Sequence, residues 1–295
     1  METLSSVFRD AIKQVVALSK PSTMVTEQTV YQTGQRETLP LIDGILKALL
    51  LLGSGINGIE HLYDLLSKAQ AGNSCLLLLE HYSNLDLPIF SYLLRAAGAR
   101  GTAVADALVA IAGMKLTEAS PTVAAFTGAY TRIIIYPSRS LKTLDTEHNH
   151  EEIIRSNAIN RAAMKTLLEI KTQGKLILVF PSGTRYRPWD PSTQKGVREI
   201  DSYIKSFDYM GFVAINGELL HVRKGDMMDD YVSQDVVRFT AGPVLSCRAF
   251  RDAARARAEA AGIADKKQAA VDAIMEGLKE MHDHAEEDRQ RLLPL

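Results

Sequence analysis

His81 and Asp86 stand five residues apart in His81-Tyr82-Ser83-Asn84-Leu85-Asp86, directly after an apolar run that starts at Cys75. A neutral imidazole can take a proton from a hydroxyl, and a carboxylate on its other nitrogen fixes the tautomer and stabilises the imidazolium. If the run is a buried strand and Asp86 opens the next helix, the turn between them can fold the carboxylate back onto the ring. No Ser or Cys nucleophile is then required, provided that an acceptor hydroxyl supplies the attacking oxygen. The same residues also suit a structural role. Asp86 is well placed as a helix N-cap, with Pro88 in the first turn, which would leave His81 an ordinary turn residue.

A second constellation is Phe180-Pro181-Ser182-Gly183-Thr184-Arg185-Tyr186-Arg187-Pro188. A buried strand ending at Phe180 would turn through Pro181, Ser182 and Gly183 and then project Arg185 and Arg187 from the same end of a sheet. Loops beyond the C-terminal ends of strands are where α/β proteins hold ligands. Planar guanidinium groups suit phosphate because they engage two oxygens at once. Solvated arginines after a strand are the competing reading. Arg132, within the strand-like Tyr130 to Tyr136, is a weaker site candidate, with a structural ion pair as its alternative. His148 and His150, and likewise His282 and His284, are spaced i, i+2, which does not place two rings on one helical face; neither pair is read as a metal site.

The elements that must position these residues alternate. Residues 1 to about 70 read as helical, with a stripe at Leu41, Ile45, Leu49 and Leu52 and a further helix from Ile59 to Ala69. Pro21 to Pro40 reads as a linker or weak helix. Strands are expected at Cys75–Glu80, Arg132–Tyr136, Leu176–Phe180, Phe212–Ile215 and Val236–Thr240, with helices at Leu87–Ala97 and Glu151–Lys171. Gly101–Val109 reads as a strand running into a short helix. The charged stretch Arg248–Leu292 reads as helix, with Asp265 as an N-cap. The expected fold is α/β, a mixed central sheet flanked by helices, preceded by a small helical N-terminal domain. The expected division is 1–72 helical and 73–295 α/β.

The 295 residues carry 46% hydrophobic and 23% charged side chains, the balance of a chain with a large core, and a formal net charge of -1. That charge offers no general field for nucleic acid, so an anion must be caught by local cations. Cys75 and Cys247 sit in apolar stretches without ligand spacing and read as two reduced, buried thiols. Met1–Lys20 lacks the apolar core of a signal peptide, and Glu2 and Asp10 argue against a transit sequence. Leu41–Ile56, the most apolar stretch, is broken by Asp43 and Lys47 and is too short to cross a bilayer. A cytoplasmic location is expected, with room for peripheral membrane contact.

His-x4-Asp followed by Phe-Pro-Ser-Gly-Thr-Arg resembles the glycerolipid acyltransferase superfamily. Within it the chain resembles the soluble, plastid-type glycerol-3-phosphate 1-O-acyltransferases. Ser182 stands where membrane-bound lysophosphatidate acyltransferases usually carry glutamate. Arg185-Tyr186-Arg187-Pro188, Asp190-Pro191-Ser192-Thr193 and the helical Ile154–Arg161 are similar to that branch, over roughly residues 75–245. The resemblance implies transfer of a fatty acyl group from acyl carrier protein or coenzyme A to the sn-1 hydroxyl of glycerol 3-phosphate. His81 would be the base and Asp86 its orienting partner. Arg185 and Arg187 would bind phosphate, Ser182 and Gly183 would shape the turn, and Lys115 (in Ala112-Gly113-Met114-Lys115) and Arg139 would face the same cleft. No cofactor, metal or nucleic acid is implied, and a plant or algal source would place the chain in the plastid stroma. Lysophosphatidate as acceptor, or a silent phospho-ligand binder, are the competing readings. Two departures stand out: Glu80 in place of the family asparagine, expected to act on His81 if the two approach, and Ser140 in place of a phosphate-facing histidine. Tyr82, Leu85 and Leu87 are candidates for an apolar wall beside the base, and Arg248, Arg251, Arg255 and Arg257 for a patch that docks an acidic carrier.

Overall fold

The computed structural model describes residues 2–20, 24–118, 120–137, 149–225 and 229–293. In chain order the first elements are α1 (Arg9–Leu18), β1 (Tyr31–Gln32), α2 (Leu39–Leu49), β2 (Gly55–Asn57) and α3 (Ile59–Gln70). Next come β3 (Cys75–Leu79), α4 (Asp86–Ala96), α5 (Ala99–Ala107) and β4 (Leu108–Gly113). They are followed by α6 (Pro121–Gly128), β5 (Arg132–Ile135), α7 (His150–Ile170), β6 (Leu176–Val179), α8 (Ile200–Ser206) and β7 (Tyr209–Asn216). β8 (Leu220–His221) and β9 (Tyr231–Val232) form a small antiparallel pair. β10 (Arg238–Ala241), β11 (Leu245–Ser246), α9 (Cys247–Ala260) and α10 (Lys266–Gln290) complete the described fold.

The main sheet runs β1-β5-β4-β6-β3-β7-β10-β2, with β11 beside β7. Its five central strands, β5, β4, β6, β3 and β7, are mutually parallel. Both faces of a central parallel strand are covered, so such strands read as unbroken apolar runs. All five residues of β3 and all four of β6 are buried. Leu77 and Leu79 face a core made with Ile42, Leu46, Leu65 and Phe90, from α2, α3 and α4. Leu76 and Leu78 face the opposite core, made with Ile159, Leu167, Ile204 and Ile274, from α7, α8 and α10. The sheet is therefore the middle layer of three.

Residues 1–72 contribute more than helices. β1 pairs antiparallel with β5 and β2 pairs parallel with β10, so this stretch supplies both outer strands of the main sheet. Over Gly101–Val109 the order differs from expectation: helix α5 comes first and strand β4 follows. The Ala-rich start of the segment favours helix, and the strand belongs to the apolar Leu108–Gly113. The C-terminal helical stretch is two helices, broken where Gly262 takes a φ of +69°. Asp265 caps the second, accepting from the N–H groups of Lys267 and Gln268. Cys75 and Cys247 are free and buried, and burial pushes both thiols up to about 12. No described helix is long and apolar enough to cross a membrane.

Candidate active site

Parallel strands end at the same edge of a sheet, and β3 and β6 are direct neighbours, with Leu78 paired to Val179. That register brings the chain leaving β3 beside the chain leaving β6, although the two are a hundred residues apart. The imidazole of His81 stacks on Phe180 with ring centroids 3.9 Å apart and planes 19° apart. The N–H of Tyr186 donates to the carbonyl of His81 at 2.8 Å. Both sequence motifs thus lie in one place.

Asp86 is 3% exposed and opens α4. Its Oδ2 lies 2.9 Å from His81 Nδ1 and accepts from Tyr82 N–H at 2.7 Å. Ser83 adds its N–H and its hydroxyl, the latter at 2.9 Å from Oδ1. A carboxylate accepts only, so Nδ1 must carry the proton and Nε2 is left with its lone pair, the state a general base needs. The expected N-cap role of Asp86 is not what the structure shows: Leu85 is the N-cap residue, Asp86 is the first helical residue, and its carboxylate takes N–H groups from the preceding turn, binding that turn and the ring together. Nearby, burial pushes the Glu218 carboxyl up; His221 opposes this, while Asp86 and Asp230 add to it.

The loop after β6 places its residues unequally. Ser182 is buried, its hydroxyl donating to the Thr184 carbonyl at 2.7 Å. Gly183 holds a φ of +66°, which favours glycine, and a Cβ there would come within 3.1 Å of the Val197 side chain. Arg185 Nη1 donates at 2.7 Å to Asp230, whose side chain is wholly buried. Arg187 is exposed; its backbone N–H donates to Thr193 Oγ1, and its guanidinium makes no ion pair among the described residues. Lys115 is exposed at the start of the short helical turn that follows β4. Arg139 and Ser140 lie outside the described residues.

Other expectations are corrected. Leu85 is 1% exposed and Leu87 packs on the core, so of the three proposed wall residues only Tyr82 borders the cleft described below. Arg132 lies at the start of β5, away from the His81 edge, and its guanidinium is held by the neutral Gln32 side chain at 2.8 and 3.1 Å, not by an acid. Burial lowers its pKa to about 10. Arg251 is locked onto buried Asp201 at 2.7 and 2.9 Å, which removes it from the expected basic patch.

Glu80 does not hydrogen-bond His81. Its Oε2 accepts from Ile215 N–H at 2.8 Å and lies 3.1 Å from His282 Nδ1, while its Oε1 accepts from the Tyr82 hydroxyl at 3.1 Å. The Tyr82 oxygen is in turn 3.2 Å from His282 Nδ1. These three side chains close a small network beside the His81 turn. Burial, followed by the Glu80 charge, raises the Tyr82 phenol far above its ordinary pKa, so it remains a donor. His282 was not singled out in the sequence, where it reads as one of two charged-helix histidines. The available signal was Glu80, a charge at the end of a buried strand that demands a partner.

The model of the Acyltransferase family matches residues 57–228. The chain belongs to the acyltransferase family. No curated protein matches it. The matched stretch holds His81, Asp86 and the Phe180–Arg187 loop, and it places this acyltransferase in the glycerolipid acyltransferase superfamily. It stops before α9 and α10. Those two helices nevertheless form one wall of a cleft of about 800 Å³ that opens on His81, with the Pro181–Gln194 stretch as the other wall. Ala254 and Ala258 from α9 and Ala273 and Met275 from α10 give it apolar surface, and His81, Tyr82 and His282 all border it.

Proposed function

We propose that this acyltransferase moves a fatty acyl group from an acyl thioester to the sn-1 hydroxyl of glycerol 3-phosphate. The observation that carries the reading is the bond between Asp86 and His81 Nδ1, which leaves Nε2 as the acceptor for a hydroxyl proton. His81 takes that proton as the hydroxyl oxygen attacks the thioester carbonyl carbon. The tetrahedral intermediate then expels the thiolate, which takes the proton back from His81. Asp86 holds the imidazolium through the charged interval. Lys115 follows β4 and Arg187 lies in the loop after the neighbouring β6; both are exposed cations outside the lining of the cleft, and the family resemblance is what assigns them the phosphate. Arg139 belongs to the same set by sequence. Arg185 gives one donor to Asp230 and keeps the rest for phosphate. The apolar stretch of the cleft suits a fatty chain, and the amphiphilic product calls for peripheral contact with a bilayer.

Purified protein, given glycerol 3-phosphate and either acyl-carrier-protein or acyl-coenzyme A thioesters, tests this. Lysophosphatidate should form with one donor or both, and His81→Ala should lower kcat by about 10²–10⁴-fold, the usual worth of a general base. A His81→Ala variant with wild-type turnover would remove the assigned base. Acylation of lysophosphatidate with no reaction of glycerol 3-phosphate would overturn the acceptor.

A further inference from the structure

We propose that His282 is a second catalytic residue, whose Nε2–H donates to the thioester carbonyl oxygen as that oxygen takes up negative charge. This rests on the acyl-transfer reading of His81 and names what acts on the other reactant. The argument begins with a repeated arrangement. Two imidazoles border one cleft, and each has its Nδ1 against a carboxylate: Asp86 for His81 at 2.9 Å, Glu80 for His282 at 3.1 Å. In both, the carboxylate holds the proton on Nδ1, so Nε2 is an acceptor in the neutral ring and a donor in the cationic one.

The surroundings of the two rings differ in charge. Three donors, the Tyr82 N–H and the Ser83 N–H and hydroxyl, share the Asp86 carboxylate with His81, and the helix it opens is apolar. Around His282 the groups are Glu80 and Tyr82 from the end of β3, with Asp283, Glu286 and Lys279 from α10 itself. Burial opposes a charge on His282, but the hydrogen bond and charge of Glu80, with Glu286 and Asp283, outweigh it and raise its pKa above the ordinary value. Lys279 is paired with Asp283 and Arg289 with Glu286, which leaves Glu80 as the dominant charge on His282. The acids around His282 favour its cationic form, which carries a donor at Nε2.

Several nearby backbone donors are already committed. The N–H groups of Tyr82 and Ser83 serve Asp86, that of Gly183 serves the Phe180 carbonyl, and that of Tyr186 serves the His81 carbonyl. No hydrogen bond occupies His282 Nε2 among the described residues. Its backbone is anchored, because buried Asn216 at the end of β7 donates to the His282 carbonyl at 3.0 Å and to Glu286 at 2.9 Å. A donor fixed before the reaction needs no reorganisation when charge develops, which is what makes such groups effective.

The steps balance without any added reactant. The acceptor proton passes to His81 as the new C–O bond forms, and the carbonyl π pair moves onto oxygen, held by His282 Nε2–H. Collapse re-forms the carbonyl, the C–S bond breaks, and the thiolate takes the proton from His81. His282 keeps its own proton throughout.

The test is steady-state kinetics with glycerol 3-phosphate and the acyl thioester that wild type uses, on wild type, His282→Ala, His282→Gln and Glu80→Gln. His282→Ala should lower kcat by about 10²-fold, the cost of losing one oxyanion donor, with KM for glycerol 3-phosphate little changed. His282→Gln, which keeps a neutral N–H, should recover part of the loss. Glu80→Gln should move the alkaline limb of the kcat profile to lower pH, because the raised pKa of His282 loses its main charge. A kcat for His282→Ala and His282→Gln equal to wild type overturns the proposal, as does an effect confined to KM. An active wild type that loses turnover in His81→Ala but not in the His282 variants sinks this inference alone. A wild type inactive with every thioester sinks the acyl-transfer reading and this inference with it.

Discussion

The two histidine–carboxylate pairs on the cleft are built by opposite means. His81 and Asp86 are five residues apart, and one turn between a strand and a helix holds both. His282 and Glu80 are 202 residues apart and meet only because α10 packs over β7, the neighbour of β3. The local pair is stiffened by the bonds Asp86 takes from Tyr82 and Ser83. The distant pair is stiffened by whole elements: Asn216 ties α10 to β7, and Ile215 N–H holds the Glu80 carboxylate. A short motif can carry a base through many sequence contexts, whereas a donor brought by a separate helix can be adjusted by moving that helix. The proposed base therefore sits within the family match, and the proposed oxyanion donor lies beyond it.

The sharpest way to break this contrast is at the carboxylates. Asp86→Ala should lower kcat by about 10³-fold or more, since the ring loses its tautomer control. It should also destabilise the fold, because the buried Ser83 N–H is stranded at about 1–3 kcal/mol and the partly buried Tyr82 N–H loses its acceptor too; urea titration measures this. Equal losses of activity in Asp86→Ala and Glu80→Ala would erase the distinction between the pairs. The arginines offer a second contrast of the same type. Arg185→Ala strands the buried Asp230 charge and should cost about 3–5 kcal/mol in stability. Arg187→Ala should leave the melting temperature unchanged and raise KM for glycerol 3-phosphate. A stability loss at Arg187 with no KM effect would reverse their roles.

The smallest effect concerns pH. His282 has a folded pKa above its unfolded value of about 6.5, so it binds its proton more tightly when folded. Its contribution to stability is fully present below the unfolded value and is lost as pH rises through the folded one. Unfolding free energies of wild type and His282→Ala, measured across that window, should differ most at its acid end and converge at its alkaline end. A constant offset would deny the Glu80 interaction its charge.

What the sequence disclosed follows from range. β3, β6 and α7 were readable because burial on both faces, or a long amphipathic period, leaves its mark within the element itself. β1 and β2 were not, since two or three residues carry no alternation and each exists only by pairing with a distant strand. The His81–Asp86 turn and the Arg185–Arg187 loop were readable as local motifs. The commitment of Arg185 to Asp230 and of Arg251 to Asp201 was hidden, because an arginine in sequence shows its charge and not its partner. His282 was hidden for the same reason, and Glu80 was read only as a neighbour of the base.

The packing of α10 over β7 also sets a schedule for biosynthesis. A nascent chain that has emerged through residue 228 contains His81, Asp86 and the loop after β6, yet Glu80 and Tyr82 still lack His282 and the cleft lacks its second wall. Domains fold as they leave the ribosome, N-terminal portions first. The partly made protein would thus expose an apolar trough beside a formed His81–Asp86 pair, and docking of the last helix would both cover that surface and complete the catalytic set. Assembly of the fold and onset of turnover would then be a single late event.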